Sequence, residues 1–195
     1  MKNILISVFL LILLCGCEFN NYAESNYSNG EYNHTESSIT NKDNEYETVY
    51  KASTYKVGTD IPSGDYIIFA NEDRGYFSIN ADSYGDSIIE NENFNYNVII
   101  RIEDGQYLEL SRSYAVPYED IETLNTTKDG MFKVGVHIEA KEHKLCTNNN
   151  RGYYAVYNGP LGKDGDIVTN DNFENCTYIS VKEGQYLLLS RAYIQ

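Results

Sequence analysis

Histidine and carboxylate side chains could perform acid-base chemistry in this chain, but their positions form no recognisable catalytic arrangement. His137 and His143 lie close together in sequence, and the third histidine, His34, is far upstream. No nucleophile elbow or Cys-His spacing accompanies them. The 29 acidic residues make chance proximity certain, yet no pair is spaced like glycosidase carboxylates. We therefore predict no enzyme activity, and we interpret His137 and His143 as exposed strand or turn residues.

Oxygen ligands that suit calcium are dense at residues 164–174 and again at residues 82–93. The spacing, however, is not that of an EF-hand loop. The favoured interpretation is a short helical turn, capped by Ser87 in one region and by Asp166 in the other. The apolar residues of these turns would enter the core: Ile88, Phe94, Ile167 and Phe173. We therefore predict no metal site and no cofactor, with calcium binding as the alternative.

Cys146 and Cys176 are the cysteines outside the N-terminal region. An exported location permits a disulfide between them. Whether a bridge fits depends on their Cα separation, which is not readable from the sequence. Two independent thiols are the alternative, and metal binding is disfavoured because no histidine or cysteine cluster surrounds either residue. The pair is therefore a possible disulfide.

The sequence contains an internal repeat, and the structural elements that position these residues are expected to occur twice. Residues 105–114 (GQYLELSRSY) return as residues 184–193 (GQYLLLSRAY). The early parts of the two copies match at an offset of 77 residues and the late parts at an offset of 79. This difference places a two-residue insertion near residues 159–165, and insertions of that kind sit in loops.

Short runs of strand-forming residues between turn residues predict strands in each copy. In the first copy we expect them at residues 55–57, 66–70, 76–80, 97–102 and 106–112, and the second copy follows by alignment. A short helical turn is possible at residues 118–124, between the copies. The sequence therefore predicts an all-β protein made of two tandem small β-sandwich or roll repeats.

Alternation along the last strand assigns its two faces. One face is identical in both copies: Gln106, Leu108, Leu110, Arg112 and Tyr114 in the first. The other face changes, since Leu188 stands where the first copy has Glu109. Because packing tolerates change less than solvent does, we predict that the unchanged face is the core. Arg112 and Arg191 would then lie at its rim beside carboxylate partners.

Tyrosine is the remaining chemical signal, with 19 tyrosines and no tryptophan in the chain. By the same alternation, Tyr107 and Tyr186 point outward, and Tyr76 and Tyr153 are placed similarly on their strands. A tyrosine ring offers a flat apolar body with a polar tip, which suits contact with a glycan or a protein. These four residues are our candidate ligand-binding residues. The alternative is that they pack across strands or between the repeats.

The N-terminus has the pattern of an export signal. One charged residue, Lys2, precedes an unbroken apolar run at residues 4–14, which is shorter than the roughly 20 residues of a membrane span. The sequence Leu14-Cys15-Gly16-Cys17 resembles the bacterial lipobox. This resemblance implies cleavage before Cys17 and acylation of its side chain, with an ordinary secretory signal as the alternative. Several acyl chains on one residue would give lasting attachment to a membrane.

Between the signal and the repeats, residues 18–53 have almost no aliphatic side chains to bury. Such a segment cannot offset its conformational entropy and is expected to be a disordered tether. The predicted organisation is a signal peptide at residues 1–16, lipidated Cys17 with its tether at 17–53, repeats at 54–116 and 131–195, and a linker at 117–130. The net charge of −14 disfavours binding to nucleic acid.

Three segments carry a family resemblance: residues 55–66 (YKVGTDIPSGDY), 88–94 (IIENENF) and 104–108 (DGQYL). The pattern is similar to a repeat module of uncharacterised surface proteins and lipoproteins of clostridia and related Firmicutes. The resemblance covers both copies and implies a surface location, but no activity or site residues. The second copy departs at residues 138–143, where the Pro-Ser-Gly turn is absent, so we expect that loop to have changed shape.

Together these features favour a non-catalytic cell-envelope protein, anchored by lipid on the extracytoplasmic face of the membrane. Its partners are expected to be the membrane, through the lipid on Cys17, and a cell-wall glycan or a surface protein. A structural or regulatory envelope module without glycan binding is the alternative, and a hydrolase is a third.

Changing Cys17 to Ser should release the protein from the membrane, because the acceptor for the acyl chains is removed. Incorporation of radiolabelled fatty acid and the distribution between membrane and medium measure this effect. A Cys17→Ser variant that stays in the membrane fraction would overturn the anchor assignment.

Overall fold

Strands dominate the described part of the chain, residues 46–147, 149–162 and 165–195 of a computed structural model. Within these residues there are fifteen strands, a 3₁₀ helix at Tyr118–Asp120 and no α-helix. In chain order the strands are β1 Thr54–Lys56, β2 Gly64–Ala70, β3 Gly75–Asn80, β4 Ile88–Phe94, β5 Asn97–Ile102, β6 Tyr107–Ser111, β7 Ser113–Pro117, β8 Gly130–Lys133, β9 Glu142–Cys146, β10 Gly152–Tyr157, β11 Leu161–Gly162, β12 Ile167–Phe173, β13 Cys176–Ser180, β14 Tyr186–Ser190 and β15 Tyr193–Ile194.

The strands form four small sheets, two in each copy of the repeat. Sheet I has the order β1-β6-β3-β4, and sheet II has the order β11-β5-β2-β7. Sheet III has the order β12-β10-β14-β8, and sheet IV has the order β13-β9-β15. We call β1–β7 the first module and β8–β15 the second module. The all-β prediction is confirmed, and each module is a small two-sheet sandwich.

Sheets II and III are buried on both faces, which places them in the middle of a four-layer stack. Consecutive residues Ile67 and Ile68 of β2 are both fully buried, as are Ile99 and Ile100 of β5. A strand exposed on one face would instead alternate between buried and exposed residues. Strand β14 is likewise buried along Tyr186–Leu189. The layers therefore follow the order I, II, III, IV, and the second module packs against the first through sheets II and III.

The junction between sheets II and III is apolar. One cluster of buried residues joins the first module's core to side chains of sheet III. Those side chains are Met131, Ala155, Tyr157, Tyr186 and Leu188. A hydrogen bond also crosses the junction, since Asn97 Nδ2 donates to the carbonyl oxygen of Met131 at 2.8 Å. The first module equivalent of Leu188 is Glu109, which lies on the uncovered face of sheet I.

The interpretation of the last strand is correct only in part. Leu108 and Leu110 are buried in the core, as predicted from the unchanged face. The strand ends at Ser111, however, where the chain bends at Arg112 with φ of 52°, and Tyr114 lies in β7 of sheet II. Arg112 donates to the carbonyl oxygen of Arg74 and not to a carboxylate as expected.

The change from Glu109 to Leu188, however, does not mark a face open to solvent in both copies. It marks a face that meets water in the first module and meets sheet II in the second. Duplicated modules that stack need an apolar face at the junction and a polar face at the end.

The predicted insertion at residues 159–165 forms part of a strand that crosses to the other module. Strand β11 pairs in parallel with β5, with Leu161 opposite Ile100 and Gly162 opposite Arg101. Gly162 has φ of 112°, and an added Cβ would lie 2.6 Å from the carbonyl oxygen of Arg101. Only glycine fits this close approach without a shift of the backbone. The second module thus completes the edge of a first-module sheet.

The expected strands of the first copy are present, but the predicted helical turns at residues 87–94 and 166–173 are wrong. Both regions are edge strands, β4 and β12. Phe94 and Phe173 enter the core as expected, whereas Ile88 and Ile167 are exposed. The charged and amide residues of β4 alternate as a strand requires, and Glu92 lies opposite the core residue Phe77. A charge on the core side of an edge strand discourages pairing with another chain.

The last residues of the predicted tether are ordered against the first module. Tyr50 exchanges backbone hydrogen bonds with Ala115 at 2.9 and 2.8 Å. The Tyr46 ring stacks on Phe69, with ring centroids 6.2 Å apart. Disorder up to Ser53 was therefore the wrong expectation, because the isolated tyrosines give this segment aromatic surface to bury. The signal region, Cys17 and the tether to residue 45 lie outside the described residues.

Replacing Leu188 with Glu should destabilise the stack, because it puts a charge into the apolar junction. Burying an unpaired carboxylate and losing the leucine contacts should lower the free energy of unfolding by about 3 kcal/mol or more. Glu109→Leu, the mirror substitution at the uncovered end, is the matched control and should change it by less than about 1 kcal/mol. Urea unfolding measures both, and equal effects would contradict the assigned layer order.

Candidate functional site: the cleft between the modules

The four candidate tyrosines lie on two different surfaces. Tyr76 and Tyr107 are half-buried on the uncovered face of sheet I. Tyr153 and Tyr186 occupy the equivalent positions on sheet III, where that face meets the first module. Tyr186 is only 4% exposed, so the prediction that it is open to solvent is wrong. The four side chains therefore do not form one binding face.

The Tyr186 ring is enclosed by charged side chains at the junction. Lys133 Nζ lies 5.6 Å from the centroid of its ring. Burial raises the pKa of the Tyr186 hydroxyl, as does the nearby charge of Asp65. Asp65 is itself held by Arg101, whose Nε lies 2.6 Å from the carboxylate. This group of charges and rings occupies one edge of the junction and leaves Tyr186 no access to a ligand.

Both histidines outside the N-terminal region replace first-module residues that make structural hydrogen bonds. His137 Nδ1 accepts from Lys133 N at 3.0 Å, just as the Asp60 carboxylate accepts from Lys56 N at 2.8 Å. His143 is buried, at 7% exposed, and its Nε2 lies 2.8 Å from the carbonyl oxygen of Glu139. The expectation of exposed histidines is therefore wrong for His143, and His137 is half-buried, with its Nε2 lacking a hydrogen-bond partner among the described residues.

The loop before β9 keeps the form of its first-module counterpart. Gly58 N donates to the carbonyl oxygen of Ile61 at 2.8 Å, and Gly135 N donates to that of Ile138 at 2.7 Å. The Tyr66 hydroxyl donates to Pro62 O at 2.9 Å, at the position where the second module has His143 and Glu139. The change of shape expected at residues 138–143 is therefore wrong for these contacts. His143 takes the place of Tyr66 beside the carbonyl oxygen at the position of Pro62, which is Glu139 in the second module.

Cys146 and Cys176 form a disulfide. They face each other across β9 and β13, with their Cα atoms 4.1 Å apart. In the first module the same cross-strand pair is Phe69 and Asn97. That pair lies on the face that meets sheet III, whereas the disulfide lies on the outer face of sheet IV. The disulfide thus links two neighbouring strands of sheet IV on the face that points away from the first module.

The acidic residues around Asp82 are used within their own loop. The Asp82 carboxylate accepts from the backbone nitrogens of Tyr84 and Ser87, at 2.9 and 2.8 Å. Its hydrogen bonds, first that with Ser87, lower the pKa of this carboxyl. Among the residues the structure describes, no group of three or more acidic, histidine or cysteine side chains is arranged to hold a metal. Lys163 and Asp164 lie outside the described residues.

Docking of the two modules creates a cleft with a volume of about 250 Å³. Its walls come from the residue before β3, the end of β4 with the turn to β5, the starts of β8 and β10, and the end of β14. The polar residues that line it are Arg74, Glu92, Asn93, Asn95, Asn97, Asp129, Tyr153, Ser190 and Arg191. Tyr153 is thus the one candidate tyrosine that the structure brings to this cleft.

Asn97 lies in the wall of the cleft with one polar atom unsatisfied. The residue is fully buried, and its Oδ1 has no hydrogen-bond partner among the described residues. Gly130 packs directly against this oxygen, and a side chain there would displace it. A buried acceptor without a partner costs about 1–3 kcal/mol, and this oxygen is covered by Gly130 and is not open to the cleft.

The carboxylates of the cleft are already engaged. Asp129 Oδ2 accepts from Asn95 Nδ2 at 2.7 Å and from Arg191 N at 3.1 Å. Glu92 Oε1 accepts from Asn93 N at 3.0 Å. Burial raises the pKa of Glu92, and the neighbouring Glu90 raises it further. Among the described residues that line the cleft, the polar side chains are hydrogen-bond donors and acceptors, and no nucleophile is paired with a base.

Sequence reasoning missed this cleft because it forms only where the modules meet. Two signals could have indicated the junction: the continuous apolar runs of β2 and β5, which are typical of strands buried on both faces, and the exchange of Glu109 for Leu188. Neither signal identifies Arg74, Asn97 or Arg191 as lining residues, because each lies at a strand end or in a turn.

A second depression, of about 580 Å³, lies mostly on the second module. It is lined by the loop at residues 135–144 together with Thr126, Glu183, Ile194 and Gln195. The two histidines in this lining make the structural hydrogen bonds described above. A buried atom without a hydrogen-bond partner in the described part of the chain occurs at both places, His137 Nε2 here and Asn97 Oδ1 at the cleft. We regard the cleft as the better candidate because residues of both modules line it.

The comparisons with known proteins give no match to a family model, a curated protein or a solved structure. Among the described residues, no helix has the length and apolar character needed to cross a membrane.

Stability should fall as the pH decreases from about 6.5 to about 4. Burial, aided by the charge of Lys133, lowers the pKa of His137 to about 4. The unfolded chain, with an ordinary histidine, binds a proton in this window that the folded protein does not bind, so unfolding is favoured as the pH falls. His137→Asn keeps a side-chain acceptor for Lys133 N and should reduce the drop in Tm between these pH values. An unchanged drop would show that His137 is not its source.

Proposed function

We propose that this protein is a non-catalytic, lipid-anchored protein of the cell envelope that binds a surface glycan in the cleft between its two β modules. The observation that supports the proposal is the cleft itself, which is lined by polar side chains from both modules. Binding sites commonly combine concave shape, apolar walls and a few convergent polar groups.

The size of the cleft favours a sugar ring over a protein surface. Its volume of about 250 Å³ lies just below the roughly 300–1,000 Å³ of pockets for drug-sized ligands. A protein partner would need a contact area of about 800 Å² on each side. Asn93, Asn95 and Tyr153 offer planar amide groups and an aromatic ring around this space, and sugar hydroxyls can both donate to and accept from such groups.

An extracytoplasmic location is supported by two independent features. The N-terminal apolar run and Cys17 resemble a lipoprotein signal, and the disulfide between Cys146 and Cys176 is typical of oxidising compartments. The ordered residues 46–53 attach the tether to the first module. The tether would therefore hold the cleft at a distance from the membrane.

The test compares two equivalent tyrosines. The full chain in detergent would be mixed with isolated peptidoglycan and wall-polymer fractions, and bound protein would be measured after sedimentation. Tyr153→Ala should weaken binding at least tenfold, because this ring lines the cleft. Tyr76→Ala, the matched change on the uncovered face of sheet I, should leave it unchanged. Circular dichroism and Tm would verify that both variants fold.

Two results would contradict the proposal. Absence of binding to every fraction would remove glycan binding as the function. Loss of binding on Tyr76→Ala with Tyr107→Ala, but not on Tyr153→Ala, would move the site to the outer face of sheet I.

A further inference from the structure

We infer that the cleft selects a sugar that carries a carboxylate, as a uronic acid does, and that Arg74 and Arg191 bind this group. The inference rests on the proposed function and names the class of its ligand. Arg74 comes from the first module and Arg191 from the second, and both line the cleft. In the part of the chain described, neither guanidinium donates a hydrogen bond or forms an ion pair.

Arg191 does not make the side-chain hydrogen bond that its first-module counterpart, Arg112, makes. In the first module, Arg112 occupies the equivalent turn and its Nε donates to the carbonyl oxygen of Arg74 at 3.3 Å. The same bond in the second module would join Arg191 to Arg151, and it is absent among the described residues. Both arginines keep the left-handed backbone of this turn, with φ of 52° and 55°. The turn is therefore preserved while the Arg191 side chain is free.

Two arginines without an ion pair are unexpected in a chain with an excess of acidic residues. The chain has 29 acidic and 15 basic residues, so an arginine that needs a carboxylate partner has many to choose from. The acidic residues that line the cleft, Asp129 and Glu92, are engaged by backbone and amide donors instead. Arg74 and Arg191 are the cationic side chains of the lining, and neither is neutralised by an ion pair among the described residues.

Two unpaired guanidiniums in one cleft match a ligand that carries a carboxylate. A carboxylate accepts two parallel hydrogen bonds from a guanidinium, a geometry that a neutral hydroxyl cannot reproduce. The hydroxyls of the same sugar ring can bond to the amides of Asn93 and Asn95, which also line the cleft. A sugar acid supplies both kinds of group within the space of one ring, whereas a neutral sugar has no charge to pair with the guanidiniums.

The experiment measures binding of the full chain in detergent to three immobilised probes: tetragalacturonate, maltotetraose and a glycerol phosphate oligomer. Tetragalacturonate should bind more tightly than maltotetraose by at least tenfold, and its affinity should fall as sodium chloride is raised. Arg74→Gln and Arg191→Gln should each weaken its binding at least tenfold. Arg151→Gln, which changes the second-module equivalent of Arg74 outside the cleft lining, is the control and should have no effect.

Each other outcome overturns the inference in a distinct way. Equal binding of maltotetraose and tetragalacturonate, with loss on Tyr153→Ala but not on Arg74→Gln or Arg191→Gln, would keep the proposed function and remove the carboxylate. Arginine-dependent binding of the glycerol phosphate probe alone would assign the site to phosphate. Failure of tetragalacturonate to bind at all would refute the sugar acid, whatever the wall fractions show.

Discussion

Burial of sheet II between sheets I and III is the constraint on which the rest of the structure depends. A module of about 60 residues buries only about 60% of its unfolded surface and is marginal alone. Here Ile67 and Ile99 face the second module while Ile68 and Ile100 face the first module's own core. One sheet thus serves two cores, and the junction, the cleft and the position of Asn97 all follow from this shared layer.

The local structure was predictable because short-range patterns determine it. Alternation identified Leu108 and Leu110 as core residues, and turn residues located the strands. The register of the repeat also located the insertion that contains β11. What failed was the assignment of faces, because Tyr186 and Leu188 are buried by a neighbour and not by their own sheet. Strand periodicity describes two faces, but it does not say what covers them.

The site was less predictable than the fold for a related reason. Arg74, Asn97 and Arg191 come from three separated turns and strand ends, and only the stacking of the modules brings them together. Identity between the copies is also a poor guide to their roles. Arg112 and Arg191 occupy the same turn, yet one closes a loop and the other faces the cleft. A duplicated residue can keep its backbone conformation and still change its partner.

Strand β11 also constrains the order in which the protein can mature. The chain is made from its N-terminus, so the first module emerges before residues 161 and 162 exist to complete the edge of sheet II. Until then, one face and one edge of that sheet lack their cover, and exposed edges and apolar faces are prone to aggregation. The native state of the first half is therefore reached only after most of the second half has been synthesised, and cleavage of the linker at residues 117–130 would leave the halves held together by a common sheet.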